Sequence, residues 1–128
     1  MILMKKIIII DDYKRDLKLY EAILNDLPDV EIIMEIDGVK GLEMIKSSDP
    51  DLIILDYLLS NTNGLEICKE LRTIKKFKDI PIIAVSSTPI EKEVDRATLF
   101  KEVGFDLSFS KPLKVKKFRE IVKNLLFK

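Results

Sequence analysis

The amino-acid sequence predicts an α/β fold, a doubly wound parallel sheet in which strand and helix alternate five times. Three observations carry that expectation. Short apolar runs without polar alternation recur along the chain, as in strands covered on both faces. Between them, apolar residues recur three or four apart, the spacing of helices with one buried face. Connections are short, with no linker, low-complexity tract or second-domain signal, so residues 1–128 form a single domain. Such alternation implies right-handed crossovers between neighbouring parallel strands.

The elements follow in order. IIII (7–10) is the first strand, and Leu17, Tyr20, Leu24 and Leu27 share one face of the helix after it. VEIIMEI (30–36) is the second strand, followed by a short helix marked by Leu42 and Ile45. LIIL (52–55) is the third strand. The third helix is marked by Leu65, Cys68 and Leu71, with Asn63 and Glu66 at the spacing of a capping box. IPIIAV (80–85) is the fourth strand. Thr88-Pro89-Ile90-Glu91 then offers a cap, a proline at the first helical position and an acid at the third. FDLSF (105–109) is the fifth strand, and alternation puts Phe105, Leu107 and Phe109 on one face. Val115, Phe118, Val122 and Leu125 define the last helix.

Composition removes several function classes. Lysine plus arginine equal aspartate plus glutamate at 22 each, so no general charge draws the chain to nucleic acid or membrane. There is no histidine, which excludes histidine catalysis, histidine metal ligands and self-phosphorylation on histidine. The single Cys68 can form neither an intramolecular disulfide nor a cysteine metal site, and one reduced thiol suits the cytoplasm. The apolar run after Lys5-Lys6 ends at Asp11, too short for a signal-peptide core of about 7–15 residues. A soluble, cytoplasmic protein is expected.

Function is expected beyond the carboxyl ends of the strands, where ligands bind in open α/β sheets. The first strand ends in Asp11-Asp12, the third in Asp56, and the fourth in Ser86-Ser87-Thr88; the fifth leads to Lys111-Pro112. Asp56 is the most telling, because it stands between Leu52–Leu55 and Tyr57-Leu58-Leu59. A carboxylate in apolar surroundings is costly unless paired, metal-bound or wetted at an edge. Taken singly, a strand-end aspartate reads as a helix cap, Ser86 as a turn residue and Lys111 as a solvated surface lysine. Their joint occurrence at one rim favours chemistry instead. Three crowded carboxylates repel one another unless a cation sits among them, and an all-oxygen site with few protein ligands suits Mg²⁺. Metal and Lys111 could neutralise phosphoryl oxygens, leaving Asp56 as nucleophile and Ser86 as a hydrogen-bond donor.

This ordered set resembles the response-regulator receiver domain of two-component signalling over essentially the whole chain. The resemblance rests on Asp11-Asp12, Asp56, Ser86 and Lys111-Pro112, with Asn63-Gly64-Leu65-Glu66 opening helix three. It implies a flavodoxin-like sheet of order 2-1-3-4-5. Asp56 would then be phosphorylated by a partner sensor histidine kinase or phosphotransfer protein. Asp12, Asp56 and the backbone carbonyl of Leu58 would bind Mg²⁺ directly, and Asp11 through water. Ser86 and Lys111 would hold the phosphoryl group. The output would be a conformational change at the face of helix four, strand five and helix five, read by a downstream protein. The chain would be a stand-alone monomer or weak dimer with no output domain, contacting neither nucleic acid nor membrane, and catalysing only its own phosphorylation and dephosphorylation.

The sequence departs from the family at Ser60, where proline is common, and at Asn63, where aspartate is common. Ser108 stands three before the lysine, where an aromatic switch residue is usual. A degenerate receiver acting as a phosphorylation-independent docking scaffold is the alternative. A phosphatase of the haloacid-dehalogenase type would need an acid two residues after Asp56, where Leu58 stands. Flavin or nucleotide binding would need glycine in the first β–α loop, which is Asp-Asp-Tyr-Lys.

Overall fold

The computed structural model of the protein describes residues 3–87 and 94–127. Eleven elements follow one another: β1 (Lys5–Ile10), α1 (Lys14–Leu24), β2 (Val30–Glu35), α2 (Gly38–Lys46), β3 (Leu52–Asp56), α3 (Gly64–Arg72), a single 3-10 turn (Lys75–Phe77), β4 (Ile82–Ser86), α4 (Val94–Val103), β5 (Leu107–Ser110) and α5 (Val115–Leu126). All strand pairs are parallel, in the order β2-β1-β3-β4-β5. This is the flavodoxin-like arrangement.

Side-chain alternation explains why both sheet faces are covered. Ile7 and Ile9 point into a core shared with Leu17, Tyr20 and Leu24 of α1 and Phe118 and Val122 of α5. Ile8 and Ile10 point into a second core with Ile45 of α2, Ile67, Cys68 and Leu71 of α3, and Phe100 of α4. Ile7 to Ile10 are wholly buried, as are Leu52 to Leu55 and Ile82 to Val85. Each such isoleucine, leucine or valine side chain contributes about 1.5–3 kcal/mol. The two edge strands, β2 and β5, are only partly covered.

Helix starts have local causes. Asp37 caps α2, its carboxylate accepting the Lys40 N–H at 2.7 Å. Asn63 caps α3 as its sequence position indicates, accepting the Glu66 N–H at 2.8 Å. The Thr88-Pro89-Ile90-Glu91 start signal lies outside the described residues.

Four expectations need correction. Leu27 lies beyond the end of α1, although it is buried in the first core. β5 covers Leu107–Ser110 and not 105–109, because the chain is still turning through Gly104, at φ +120°, and Asp106. Phe105 therefore packs into the second core against Phe100, Leu107 is exposed, and Phe109 lies against Phe118 of the first core. Leu107 and Phe109 share a face, opposite Ile83 and Val85 of the first core, and only Phe105, outside the strand, leaves it. β4 begins at Ile82, after Pro81, which has no N–H for the ladder. On α5, Val115 is exposed, and the buried face is Phe118, Val122 and Leu126.

At the amino ends of β4 and β5, one cation ties three segments together. Arg72 ends α3, and its guanidinium donates to the carbonyls of Phe77 (2.7 Å), Lys78 (3.1 Å) and Ile80 (2.8 Å). It also donates to the Gly104 carbonyl at 2.7 and 3.0 Å and pairs with Asp106 at 2.9 Å. The Asp106 carboxylate in turn accepts the Ile82 N–H at 2.8 Å.

Candidate functional site

The sheet register decides which side chains meet at the opposite, carboxyl-end rim. Ile10 pairs with Leu55, Asp56 with Val85, and Ser86 with Ser110. Asp11, Asp56, Ser86 and Lys111 therefore stand at, or one step beyond, the ends of four adjacent strands. Backbone bonds hold two of these ends. The Asp11 N–H donates to the Glu35 carbonyl at 3.1 Å, and the Lys111 N–H donates to the Ser86 carbonyl at 2.7 Å. Asp11, Asp56 and Ser86 are buried, and Asp12 is half-buried. The Lys111–Pro112 peptide is cis.

Asp56 is reached through a closed loop. The Gly64 N–H donates to the Tyr57 carbonyl at 2.9 Å, and Leu58 forms a bridge with Asn63. Leu58 turns its side chain to solvent, where it is 58% exposed.

Lys111 is the cation of the site. Its ammonium donates to Asp11 Oδ2 and to Asp16 Oδ2, both at 2.8 Å, and lies 3.5 Å from Asp56 Oδ2. It also sits 5.4 Å from the centre of the Tyr13 ring. The second oxygen of Asp11 accepts the Tyr13 N–H at 3.0 Å. Asp16 is the member that sequence reasoning missed. Its signal was an acid in the first turn of α1, indistinguishable there from one that merely complements the helix dipole.

These contacts set the protonation of the site. Burial, and then the negative charge of Asp11, push Asp56 up to about 7, while Lys111 pulls it the other way. Burial also raises Asp11, against the opposing hydrogen bonds from Lys111 and Tyr13. For Lys111, burial is the largest influence and favours loss of the proton. The hydrogen bonds to Asp11 and Asp16 overcome it, so the lysine is held above its ordinary value and stays charged.

Asp11, Asp12 and Asp56 each offer a carboxylate oxygen, and these oxygens lie within 4.8 Å of one another. Asp12 Oδ1 is buried without a hydrogen-bond partner among the described residues. A buried acceptor left without a donor is costly, and a cation among the three carboxylates would satisfy it. The donor set is oxygen alone, which fits a hard divalent ion. All five predicted side chains, Asp11, Asp12, Asp56, Ser86 and Lys111, are thus brought to one rim, with the Leu58 backbone in the loop that follows Asp56.

Comparison with known proteins agrees with the fold. The family model described as the response regulator receiver domain matches residues 7–123. The chain is 29% identical over 122 residues to the polar-differentiation response regulator DivK of Brucella ovis, covering 95% of this chain and 96% of that one. Its fold superposes on the signal receiver domain of a DNA-binding response regulator, merR, from Colwellia psychrerythraea 34H. The TM-score is 0.88 at 22% identity, covering 97% of this chain and 99% of that one. It is also similar to the receiver domain of the sensor histidine kinase PA1611 from Pseudomonas aeruginosa PAO1, which holds a magnesium ion in its active-site cleft. There the TM-score is 0.83 at 21% identity, covering 98% of this chain and 99% of that one. With its family model spanning nearly the whole sheet and the acidic rim at the strand ends, the chain belongs to the response regulator receiver domain family.

Proposed function

We propose that Asp56 accepts a phosphoryl group from a phosphohistidine on a sensor histidine kinase or phosphotransfer protein, and that Mg²⁺ is required. The observation that carries this reading is the buried Asp56 carboxylate, set among Asp11, Asp12 and a charged Lys111 at the strand ends. Asp12, Asp56 and the Leu58 carbonyl would hold the ion, with Asp11 acting through water. When bound, it offsets the charge of the carboxylates and of the incoming phosphoryl oxygens.

The residues of the chain divide the remaining work. An Asp56 oxygen forms the new bond to phosphorus as the bond from phosphorus to the donor nitrogen breaks. The Ser86 hydroxyl donates to one phosphoryl oxygen, and the Lys111 ammonium pairs with another. Both sit at the ends of the strands that flank α4, β5 and α5, so their new contacts bias that face toward a form read by a downstream protein. Ser108 is exposed on β5 and has no ring to bury, so the change is smaller there than in receivers with an aromatic switch.

Acetyl phosphate as donor, or beryllofluoride as a mimic of the phosphoryl group, tests the reading with and without Mg²⁺. Modification is expected only with the ion, and not in Asp56→Asn. Amide shifts induced by beryllofluoride are expected to extend to α4, β5 and α5. Undiminished modification in chelator, or modification surviving Asp56→Asn, counts against the assignment.

A further inference from the structure

We propose that Asp16 is a positioning residue, which tethers Lys111 in the resting protein and opposes its transfer to a phosphoryl group on Asp56. The inference deepens the proposed function and rests on Asp56 being the phosphoryl acceptor.

An ammonium has three protons to donate. In the resting protein, Asp11 and Asp16 each accept one at 2.8 Å, whereas Asp56 stands off at 3.5 Å. Asp56 therefore receives charge from Lys111 without a comparably close hydrogen bond. The lysine is not a mobile surface group, since only 13% of its side chain is exposed, and its position is set by the acids around it. Asp11 belongs to the sheet rim and the proposed metal cluster. Asp16 does not: it comes from the first turn of α1, and its carboxylate has no other ion-pair partner among the described residues.

The consequence follows from charge. A phosphoryl group adds roughly −1.5 to −2 charges and three strong acceptor oxygens. For Lys111 to reach it, the contact with Asp16 must lengthen or break. The Asp16 side chain is only 19% exposed, so water replaces the lost partner incompletely. Asp16 thus offsets part of what Lys111 gains at the phosphoryl group. Asparagine in its place keeps the shape and an acceptor but removes the charge, and so weakens the tether.

The test uses the full chain at saturating Mg²⁺, with beryllofluoride affinity read from amide chemical shifts. Asp16→Asn is expected to bind about three- to tenfold more tightly than the parent, the range for losing one partly buried, charge-assisted contact. Asp16→Ala is expected to shift affinity the same way. The gain is expected to persist in 1 M salt, where a diffuse field is screened within about 3 Å but a contact pair is not. It is also expected to vanish in a Lys111→Met background. A merely structural role for Asp16 would lower the melting temperature and leave the affinity ratio at one, which overturns the proposal. An equal gain in Lys111→Met, or a gain abolished by salt, assigns the effect to general charge and also overturns it. If Lys111→Met does not fold, the salt comparison decides alone. If the parent fails to bind beryllofluoride, the phosphoryl-acceptor reading falls and takes this one with it. If the parent binds and Asp16→Asn binds equally, only this one falls.

Discussion

The backbone of Gly64 lies directly against the carbonyl of Asp56, so closely that a Cβ on residue 64 would overlap the carbonyl oxygen and crowd its carbon. The contact is backbone to backbone, so no flexible side chain can yield. Gly64 is in that sense part of the wall that holds Asp56 at the end of β3. Gly64→Ala is expected to destabilise the fold by about 1–3 kcal/mol, the usual cost of overpacking a tight site. Urea unfolding of the two proteins checks this, and an unchanged midpoint would show that the loop relaxes freely.

The acidic rim makes stability depend on pH in a definite direction. Burial and the charge of Asp11 push Asp56 up to about 7 in the folded protein, from 3.8 ordinarily. Between those values the folded state holds a proton that the unfolded chain has released. The stability from this group is therefore fully present below about 3.8 and is lost as pH rises through about 7. The raised value of Asp11 acts in the same sense. Lys111 is also raised, but from 10.5, so its contribution is lost only at alkaline pH beyond this window. In chelator, the protein is expected to be more stable at pH 5 than at pH 8, by on the order of 2–4 kcal/mol, with the slope reduced in Asp56→Asn. Chemical denaturation at the two pH values measures it. A slope that is unchanged by Asp56→Asn would place the titration elsewhere.

Leu58 bears on how long an aspartyl phosphate would last. Hydrolysis needs a water placed in line with phosphorus. In receivers, the side chain two after the acceptor helps hold that water. The Leu58 side chain has no polar atom for the purpose. The phosphorylated protein is expected to persist for minutes or more after donor removal, and Leu58→Asn to decay several-fold faster. Decay within seconds, or equal decay of the two proteins, would show that Leu58 does not set the lifetime.

How much of this was legible in the sequence varied with the kind of residue. β1 and β3 were legible because Ile7–Ile10 and Leu52–Leu55 are buried on both faces, which leaves an unbroken apolar run as their mark. Asp56 was legible for the same reason, since its neighbours on either side are apolar. β5 was not. Phe105 and Leu107 have the spacing of a strand face, but the turn through Gly104 sends Phe105 to Phe100, and an edge strand tolerates the exposed Leu107. Asp16 was hidden because the contact that matters, with Lys111, spans 95 residues of sequence. No local pattern distinguishes an acid that grips a distant lysine from one that only faces water.

The Arg72 cluster has a consequence for how the molecule tolerates change. It gathers carbonyls from Phe77, Lys78, Ile80 and Gly104 at one end of the sheet, whereas the opposite end gathers carboxylates that repel each other. Cohesion and reactivity are thus kept at opposite poles of the same strands. Five donors in a fixed fork cannot be replaced by the three of a lysine, so variation at the Arg72 pole is read mainly in whether the chain folds. Variation at the acidic pole relieves repulsion and is expected to stabilise the fold while removing the proposed chemistry, the usual trade between stability and activity. Two libraries, one at each pole, would therefore separate cleanly in a screen that scores folding and phosphoryl uptake together.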